Sequence, residues 1–254
     1  MKVAPKKRLG QHFLKNEEIA LQIVESIASS NRNVLEIGPG MGVLTKYLLQ
    51  KENFDLKVVE LDEESVEYLQ LHYPTLSPNI IAHDFLALPL ESMYQTPLTI
   101  IGNFPYNISS QILFKMLDHK ELITELVGMF QKEVAERVAA RPGKKTYGIL
   151  SVLIQAFYDV EYLFTVDEQQ FNPPPKVQSA VIRITKNENK QLNCDESLFK
   201  TVVKTAFNQR RKTLRNSLKT FSFNEDFLTD PIFNLRPEQL SVGEFEKICL
   251  QVIQ

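Results

Sequence analysis

Asn33-Val-Leu-Glu36-Ile-Gly38-Pro-Gly40-Met-Gly42 is the stretch whose reading decides the fold. A strand-like apolar run, Asn33–Ile37, leads straight into three glycines at alternate positions, and a helical pattern over Val43–Lys51 follows. Glycines between a strand and a helix permit a tight turn and let the backbone approach a bound ligand. The spacing is Gly-x-Gly-x-Gly, not the Gly-x-Gly-x-x-Gly of dinucleotide sites, which argues against a nicotinamide dehydrogenase. Glu36 stands two residues before the first glycine, where it would repel a pyrophosphate but not a cationic amino-acid ligand.

Working outward, six more apolar runs follow: Leu56–Leu61, Asn79–Ala82, Leu98–Gly102, Leu126–Gln131, Glu161–Val166 and Ala180–Thr185. Helical patterns separate the earlier ones, at Glu63–His72 and Ser109–Asp118. Strands alternating with helices predict βαβ units, hence an α/β fold with a mostly parallel seven-stranded sheet covered on both faces. The last two runs lack a long helix between them, which predicts an antiparallel hairpin at the sheet edge. Ahead of the sheet a helix is expected to start at Asn16 as N-cap, with Glu17 and Glu18 in its first turn. Beyond the polar stretch Lys186–Asn193 the apolar spacing turns helical: Leu198, Val202, Val203 and Phe207, then Leu214 and Leu218, then Phe245, Ile248 and Val252. The expected organisation is one domain over residues 1–186, beginning with a flexible basic segment 1–15, and a small all-helical C-terminal domain over 187–254.

A chain of 254 residues, 43% hydrophobic and 24% charged, is ordinary for a soluble globular protein. The longest uncharged apolar stretch, Thr146–Tyr158, is shorter than the roughly 18 residues a membrane span needs. Leu9 to Leu14 is broken by Gly10, Gln11 and His12, so it makes no secretory signal. Cys194 and Cys249 are too few for a disulfide framework or a zinc site; no metal is expected, and the setting is read as reducing and cytoplasmic. The net charge of -2 conceals two basic blocks. Lys2, Lys6, Lys7, Arg8 and Lys15 lie in residues 1–15; Lys200, Lys204, Arg210, Arg211, Lys212, Arg215 and Lys219 lie in residues 200–219, neither block with an acid. Local clusters, not the overall charge, govern phosphate binding, although solvated helix faces and a loose tail would look the same.

Two further acids close predicted strands. Glu60 ends the second run, where a carboxylate can accept both hydrogen bonds of a ribose diol, and Asp84 follows the third, suited to an adenine amine. The fourth run ends in Asn103-Phe-Pro105-Tyr106, the Asn/Asp/Ser-x-Pro-aromatic pattern of methyltransferases acting on exocyclic amines of nucleobases. That amine is a poor nucleophile because its lone pair is delocalised into the ring. The side-chain oxygen of Asn103 and the backbone carbonyl of Pro105 would hold its two hydrogens and favour a pyramidal nitrogen. Tyr106 would offer a face for an extruded base.

Leu9-Gly-Gln-His-Phe-Leu14, Glu36-Ile-Gly-Pro-Gly40, Asn103-Phe-Pro-Tyr-Asn-Ile-Ser109, Phe171-Asn-Pro-Pro-Pro-Lys-Val-Gln-Ser179 and Ala206-Phe-Asn-Gln-Arg-Arg-Lys-Thr-Leu-Arg-Asn-Ser-Leu218 together resemble the KsgA family of rRNA adenine dimethyltransferases. The resemblance spans nearly the whole chain in the family's order. It implies a Rossmann-like class I domain using S-adenosylmethionine, with a helical RNA-binding domain behind it. The implied reaction is transfer of four methyls to two adjacent adenosines near the 3′ end of 16S rRNA in the small ribosomal subunit, by a monomer with a part in subunit biogenesis. Carried over motif by motif, the cofactor contacts are His12, Leu14, Gly38, Glu60, Asp84 and Asn103, with Gln11 and Phe13 folding the N-terminal segment over the cofactor. Phe171 either packs on the target adenine opposite Tyr106 or is a core aromatic held by three prolines. The family more often has Leu where Phe104 stands.

If Ala206–Leu218 is helical, Arg211, Arg215 and Lys219 fall four apart on one face, placed to meet rRNA phosphates. The nearest rival is the macrolide-resistance dimethyltransferase of large-subunit rRNA; the triple proline and the Asn-Gln-Arg-Arg-Lys run favour the small-subunit enzyme. A mainly non-catalytic assembly checkpoint is the other alternative.

Overall fold

The computed structural model describes residues 3–253, so Lys2 of the N-terminal basic block lies outside the described residues. The chain divides into two compact units: one runs up to Ala135 and includes Val160–Lys186, the other joins Glu136–Asp159 to the chain from Asn187 onward. The sequence reading put Glu136–Asp159 with the sheet.

Among the described residues nine strands form: β1 (Phe13–Leu14), β2 (Asn33–Ile37), β3 (Asp55–Glu60), β4 (Ile80–Ala82), β5 (Leu98–Asn103), β6 (Ile123–Gln131), β7 (Tyr158–Val166), β8 (Phe171–Asn172) and β9 (Ser179–Lys186). Seven make one sheet in the order β4-β3-β2-β5-β6-β9-β7. The first five are parallel and β9 runs antiparallel to β6, so this is the Rossmann-like α/β sheet expected, with the reversal at its edge. β2 and β5 read as continuous apolar runs because they are central, with Val34, Leu35, Ile100 and Ile101 fully buried. The order reverses between β2 and β5, and at such a switch point loops at the carboxyl ends of parallel strands part to leave a crevice.

Local chemistry fixes the helix starts. Asn16 Oδ1 accepts from the Glu18 and Ile19 amides at 2.9 and 3.1 Å, capping the helix Glu17–Glu25 as predicted. Helices Glu63–His72 and Ser109–Asp118 occupy the predicted spans, whereas the pattern over Val43–Lys51 yields only Thr45–Leu48 flanked by turns. The two-residue strands β1 and β8 form a separate antiparallel ladder, pairing Phe13 with Asn172 and Leu14 with Phe171. Within the described residues of the N-terminal segment, Val3 is buried and Phe13 and Leu14 are held by that ladder.

The second unit is helical, with Phe199, Val202, Val203, Leu214, Phe233, Phe245 and Ile248 at 1% exposure or less. Asp195 caps Glu196–Asn208 through the Leu198 amide at 2.7 Å, and Ser241 with Glu244 makes a capping box on Val242–Leu250. Cys194 and Cys249 are free thiols in hydrogen-bonding contact, a closeness their sequence separation hides. Ala206–Leu218 is not one helix. The chain leaves the helix at Asn208, turns through Gln209–Thr213 and resumes over Leu214–Ser217. Arg210 donates to Lys145 O at 2.6 Å and Leu214 N to Leu235 O at 2.8 Å, and these tertiary bonds hold the break. Arg211, Arg215 and Lys219 therefore share no helix face. Arg215 instead donates to Leu228 O at 2.9 Å and lies 5.8 Å over the Phe233 ring.

Candidate active site

Four strand ends build the crevice. Beyond β2, Gly38, Gly40 and Gly42 all take positive φ, at 65°, 56° and 81°. Gly40 is required twice over, because a Cβ there would also sit 2.8 Å from the Phe13 ring. Glu60, closing β3 and 5% exposed, accepts the Gly40 amide at 3.0 Å and the Leu61 and Asp62 amides at 2.9 Å each. Burial pushes its pKa up while the three amides oppose the shift. Asp84, two residues past β4, caps the next turn by accepting from Leu86 N at 2.9 Å. The backbone of that turn is held by Lys115, whose ammonium donates to Leu86 O at 2.9 Å and Leu88 O at 2.6 Å and lies 5.2 Å over Phe85.

Asn103 ends β5. Its amide nitrogen donates to His12 O at 2.9 Å, which fixes the flip of the side chain and leaves Oδ1 as an acceptor. His12 in turn bonds Pro173 O through Nδ1 at 2.8 Å; a carbonyl only accepts, so Nδ1 carries the proton. The imidazole stacks on Tyr106 with centroids 5.2 Å apart, and the Tyr106 hydroxyl meets Ser179 Oγ at 2.5 Å. Gln11 accepts from Lys6 N at 2.8 Å, and Lys6 pairs with Asp62 and Glu64. This lysine of the basic N-terminal block is thus spent inside the protein.

One cleft brings together His12, Gly38, Glu60, Asp84, Asn103, Pro105 and Tyr106. Leu14 lines an adjoining cleft with Phe13, Gly38 and Asn103, its side chain 5% exposed. Phe171 lines neither. At 1% exposure it belongs to the hydrophobic core with Leu14, Val166 and Val181, because its ladder with β1 turns it inward, which is the core alternative of the sequence reading. Glu36 also departs from expectation. It is 1% exposed, takes a hydrogen bond from Thr45 Oγ1 at 2.6 Å and lines neither of these clefts. Burial, together with nearby Glu60, pushes its pKa up to about 8, so it is mostly neutral at pH 7.

Sequence reasoning missed Lys115 and Tyr73. Lys115 sat in view as the one basic residue of the helix Ser109–Asp118. Tyr73 donates to Gly42 O at 3.2 Å and packs where a Cβ on Gly42 would be, and no pattern announces it. Among the described residues no cluster of His, Cys, Asp or Glu is placed to hold a metal ion, and no helix is long and apolar enough to cross a membrane.

Comparison with known proteins agrees with this geometry. A sequence model described as "Ribosomal RNA adenine dimethylase" matches residues 3–242. The "Ribosomal RNA small subunit methyltransferase A" of Phocaeicola vulgatus is 61% identical over 98% of this chain and 90% of its own length. The protein of the same description from Porphyromonas gingivalis is 54% identical, with both chains fully covered. Among solved structures, a dimethyladenosine transferase from Plasmodium falciparum superposes with a TM-score of 0.76 at 26% identity, covering 94% of this chain and 96% of that one. The 23S rRNA methyltransferase ErmE shares the fold, with a TM-score of 0.71 at 23% identity over 94% of this chain and all of the other. With a family match over nearly its whole length and the sheet that family's structures share, the chain belongs to the ribosomal RNA adenine dimethylases and is an rRNA adenine dimethyltransferase.

Proposed function

We propose that this enzyme transfers methyl groups from S-adenosylmethionine to the exocyclic amines of two adjacent adenosines in the 3′-terminal hairpin of 16S rRNA within the small ribosomal subunit. The observation that carries the reading is one cleft presenting Glu60, Asp84 and the free Oδ1 of Asn103 together. The residues fit the cofactor: two carboxylates suit a ribose diol and an adenine amine, and the glycine loop leaves backbone uncovered beside Pro105. Bound there, the cofactor supplies a methyl on a cationic sulfur. His12, Gly38, Glu60 and Asp84 hold it, while the buried Leu14 supports the segment that carries His12.

Catalysis by the chain's own groups is orientation and electrostatics. Asn103 Oδ1 accepts one hydrogen of the target amine and turns the nitrogen lone pair out of conjugation. Pro105 was expected to supply the second acceptor, but its carbonyl already accepts from Ile108 N and Ser109 Oγ, each at 3.2 Å. The carbonyl of Phe104 takes no hydrogen bond among the described residues, so it is assigned that role, with Pro105 shaping the turn. Tyr106, tethered through its hydroxyl, offers the ring for the extruded adenine; Phe171 acts from the core by fixing β1.

In this reading the unit that runs up to Ala135 and includes Val160–Lys186 is the methyltransferase domain and the unit that joins Glu136–Asp159 to the chain from Asn187 onward binds RNA, the protein being a cytoplasmic monomer with a role in small-subunit biogenesis. Labelled S-adenosylmethionine is given with the protein to small subunits from a strain lacking the modification, and to large subunits in parallel. Dimethyladenosine in 16S rRNA alone is the expected outcome. Label in large-subunit rRNA would transfer the assignment to the resistance enzyme, and subunit binding without label would leave an assembly checkpoint.

A further inference from the structure

A second cleft adjoins the active site. It shares Gly10, Gln11, His12 and Tyr106 with it and is otherwise lined by Pro5, Lys7, Gln131, Pro173–Pro175, Lys176 and Val177. The shared wall is one pair of stacked rings, His12 on Tyr106, with His12 pinned to Pro173 O. Whatever occupies the second cleft therefore sits one ring pair from whatever occupies the first.

The donor set of this cleft is specific. The prolines and Val177, 46% exposed, give an apolar wall with no donor of its own. Gln131 carries an amide whose side chain takes no hydrogen bond among the described residues. Lys7 and Lys176 are exposed and make no ion pair among the described residues. Their neighbours differ: Lys6 is committed to Asp62 and Glu64, and Lys132 to Gln178. Among the described residues no carboxylate lines the cleft. An apolar wall, an unspent amide and two unspent ammoniums match one unstacked nucleotide: base on the wall, base edge to the amide, phosphates to the lysines. A protein segment would satisfy the wall but leave both ammoniums unanswered unless it were acidic.

We propose that this cleft is a subsite for the nucleotide adjoining the target adenosine in the same RNA strand, with Lys7, Gln131 and Lys176 as its recognition groups. The proposal rests on the reading that the target adenine lies against Tyr106 in the first cleft. A subsite one ring pair away would hold the strand in register while the adenine is extruded, and would select for an unpaired neighbour.

The full-length protein carrying a photoreactive benzoylphenylalanine in place of Val177 is irradiated with unmethylated small subunits. The crosslink is mapped by primer extension, and the methylated adenosines are mapped separately on non-irradiated material. A crosslink at a nucleotide next to a methylated adenosine is expected, and Lys7→Glu with Lys176→Glu should abolish it and raise KM for subunits about tenfold or more. S-adenosylhomocysteine affinity, read by calorimetry, should stay within about twofold, which a merely misfolded variant would not show. Methylation without a crosslink, a crosslink to distant rRNA or to a ribosomal protein, or an unchanged KM would overturn the subsite. No methylation by the unaltered protein would overturn the function reading and the subsite with it, so the two failures are distinguishable.

Discussion

Asn103 carries two jobs that two substitutions separate. Its amide nitrogen ties down the N-terminal segment through His12 O at 2.9 Å, and its Oδ1 is the acceptor assigned to the substrate amine. Asn103→Ala removes both. Losing a transition-state acceptor in a desolvated site costs roughly 10²–10³ in kcat, and leaving the partly buried His12 carbonyl unpaired costs a further ~1–3 kcal/mol. Asn103→Asp keeps an acceptor of the same shape but sets a carboxylate oxygen against the His12 carbonyl, so it breaks only the tie. S-adenosylhomocysteine should then bind about tenfold more weakly, the equivalent of ~1.4 kcal/mol, while kcat at saturating cofactor stays within about tenfold of the unaltered enzyme, well above that of the alanine variant. Single-turnover methylation of small subunits and calorimetric titration of the cofactor product give the two numbers. If alanine and aspartate variants lose kcat equally with cofactor affinity unchanged, the division of labour drawn from this geometry is wrong.

Other residues give independent checks. Burial raises the Glu36 pKa to about 8 in the folded protein from an ordinary 4.5, so between those values the folded state holds a proton the unfolded chain lacks, and its contribution to stability falls as pH rises through that window. Glu36→Gln, which keeps an acceptor for Thr45, should flatten that fall and stabilise the protein at pH 8.5 by roughly 2–4 kcal/mol in urea unfolding; an unchanged pH profile would show the carboxyl is not buried as described. Lys115→Met strips both bonds from the carbonyls behind Asp84, and should cost about 2 kcal/mol of stability and weaken S-adenosylhomocysteine binding, with KM for subunits little changed. Arg211→Glu should weaken small-subunit binding without lowering Tm. Arg215→Glu should lower Tm, because that guanidinium is engaged with Leu228 O and Phe233; equal loss of binding at unaltered Tm for both would restore the single basic face.

Most of the sheet was legible because central parallel strands write themselves as apolar runs, and the candidates Gly38, Glu60, Asp84 and Asn103, which the structure brings to one cleft, stand at or just past their ends. What escaped is what long-range contact decides. Strands of two residues have no period to detect, so β1 and β8 were invisible and the two readings of Phe171 stayed open until its pairing with Leu14 settled where the ring goes. Phe207 and Leu214 keep helical spacing on either side of a break that is dictated by Lys145 and Leu235, far off in the chain. Glu36 misled for a similar reason. Its place beside the glycines was plain, but the strand turns its side chain to Thr45 instead of the cleft.

The ladder between β1 and β8 also sets when the enzyme comes into being. Phe13 and Leu14 leave the ribosome early, yet their partners Phe171 and Asn172 are translated some hundred and fifty residues later. The glycine loop, Glu60, Asp84 and Asn103 can all be in place on a growing chain, while the wall that carries His12 waits for a segment near the end of the same unit. A nascent chain halted before β8 would own every polar group of the cofactor cleft and still lack the ladder that holds its wall, so the cleft can close only once Phe171 and Asn172 have been made.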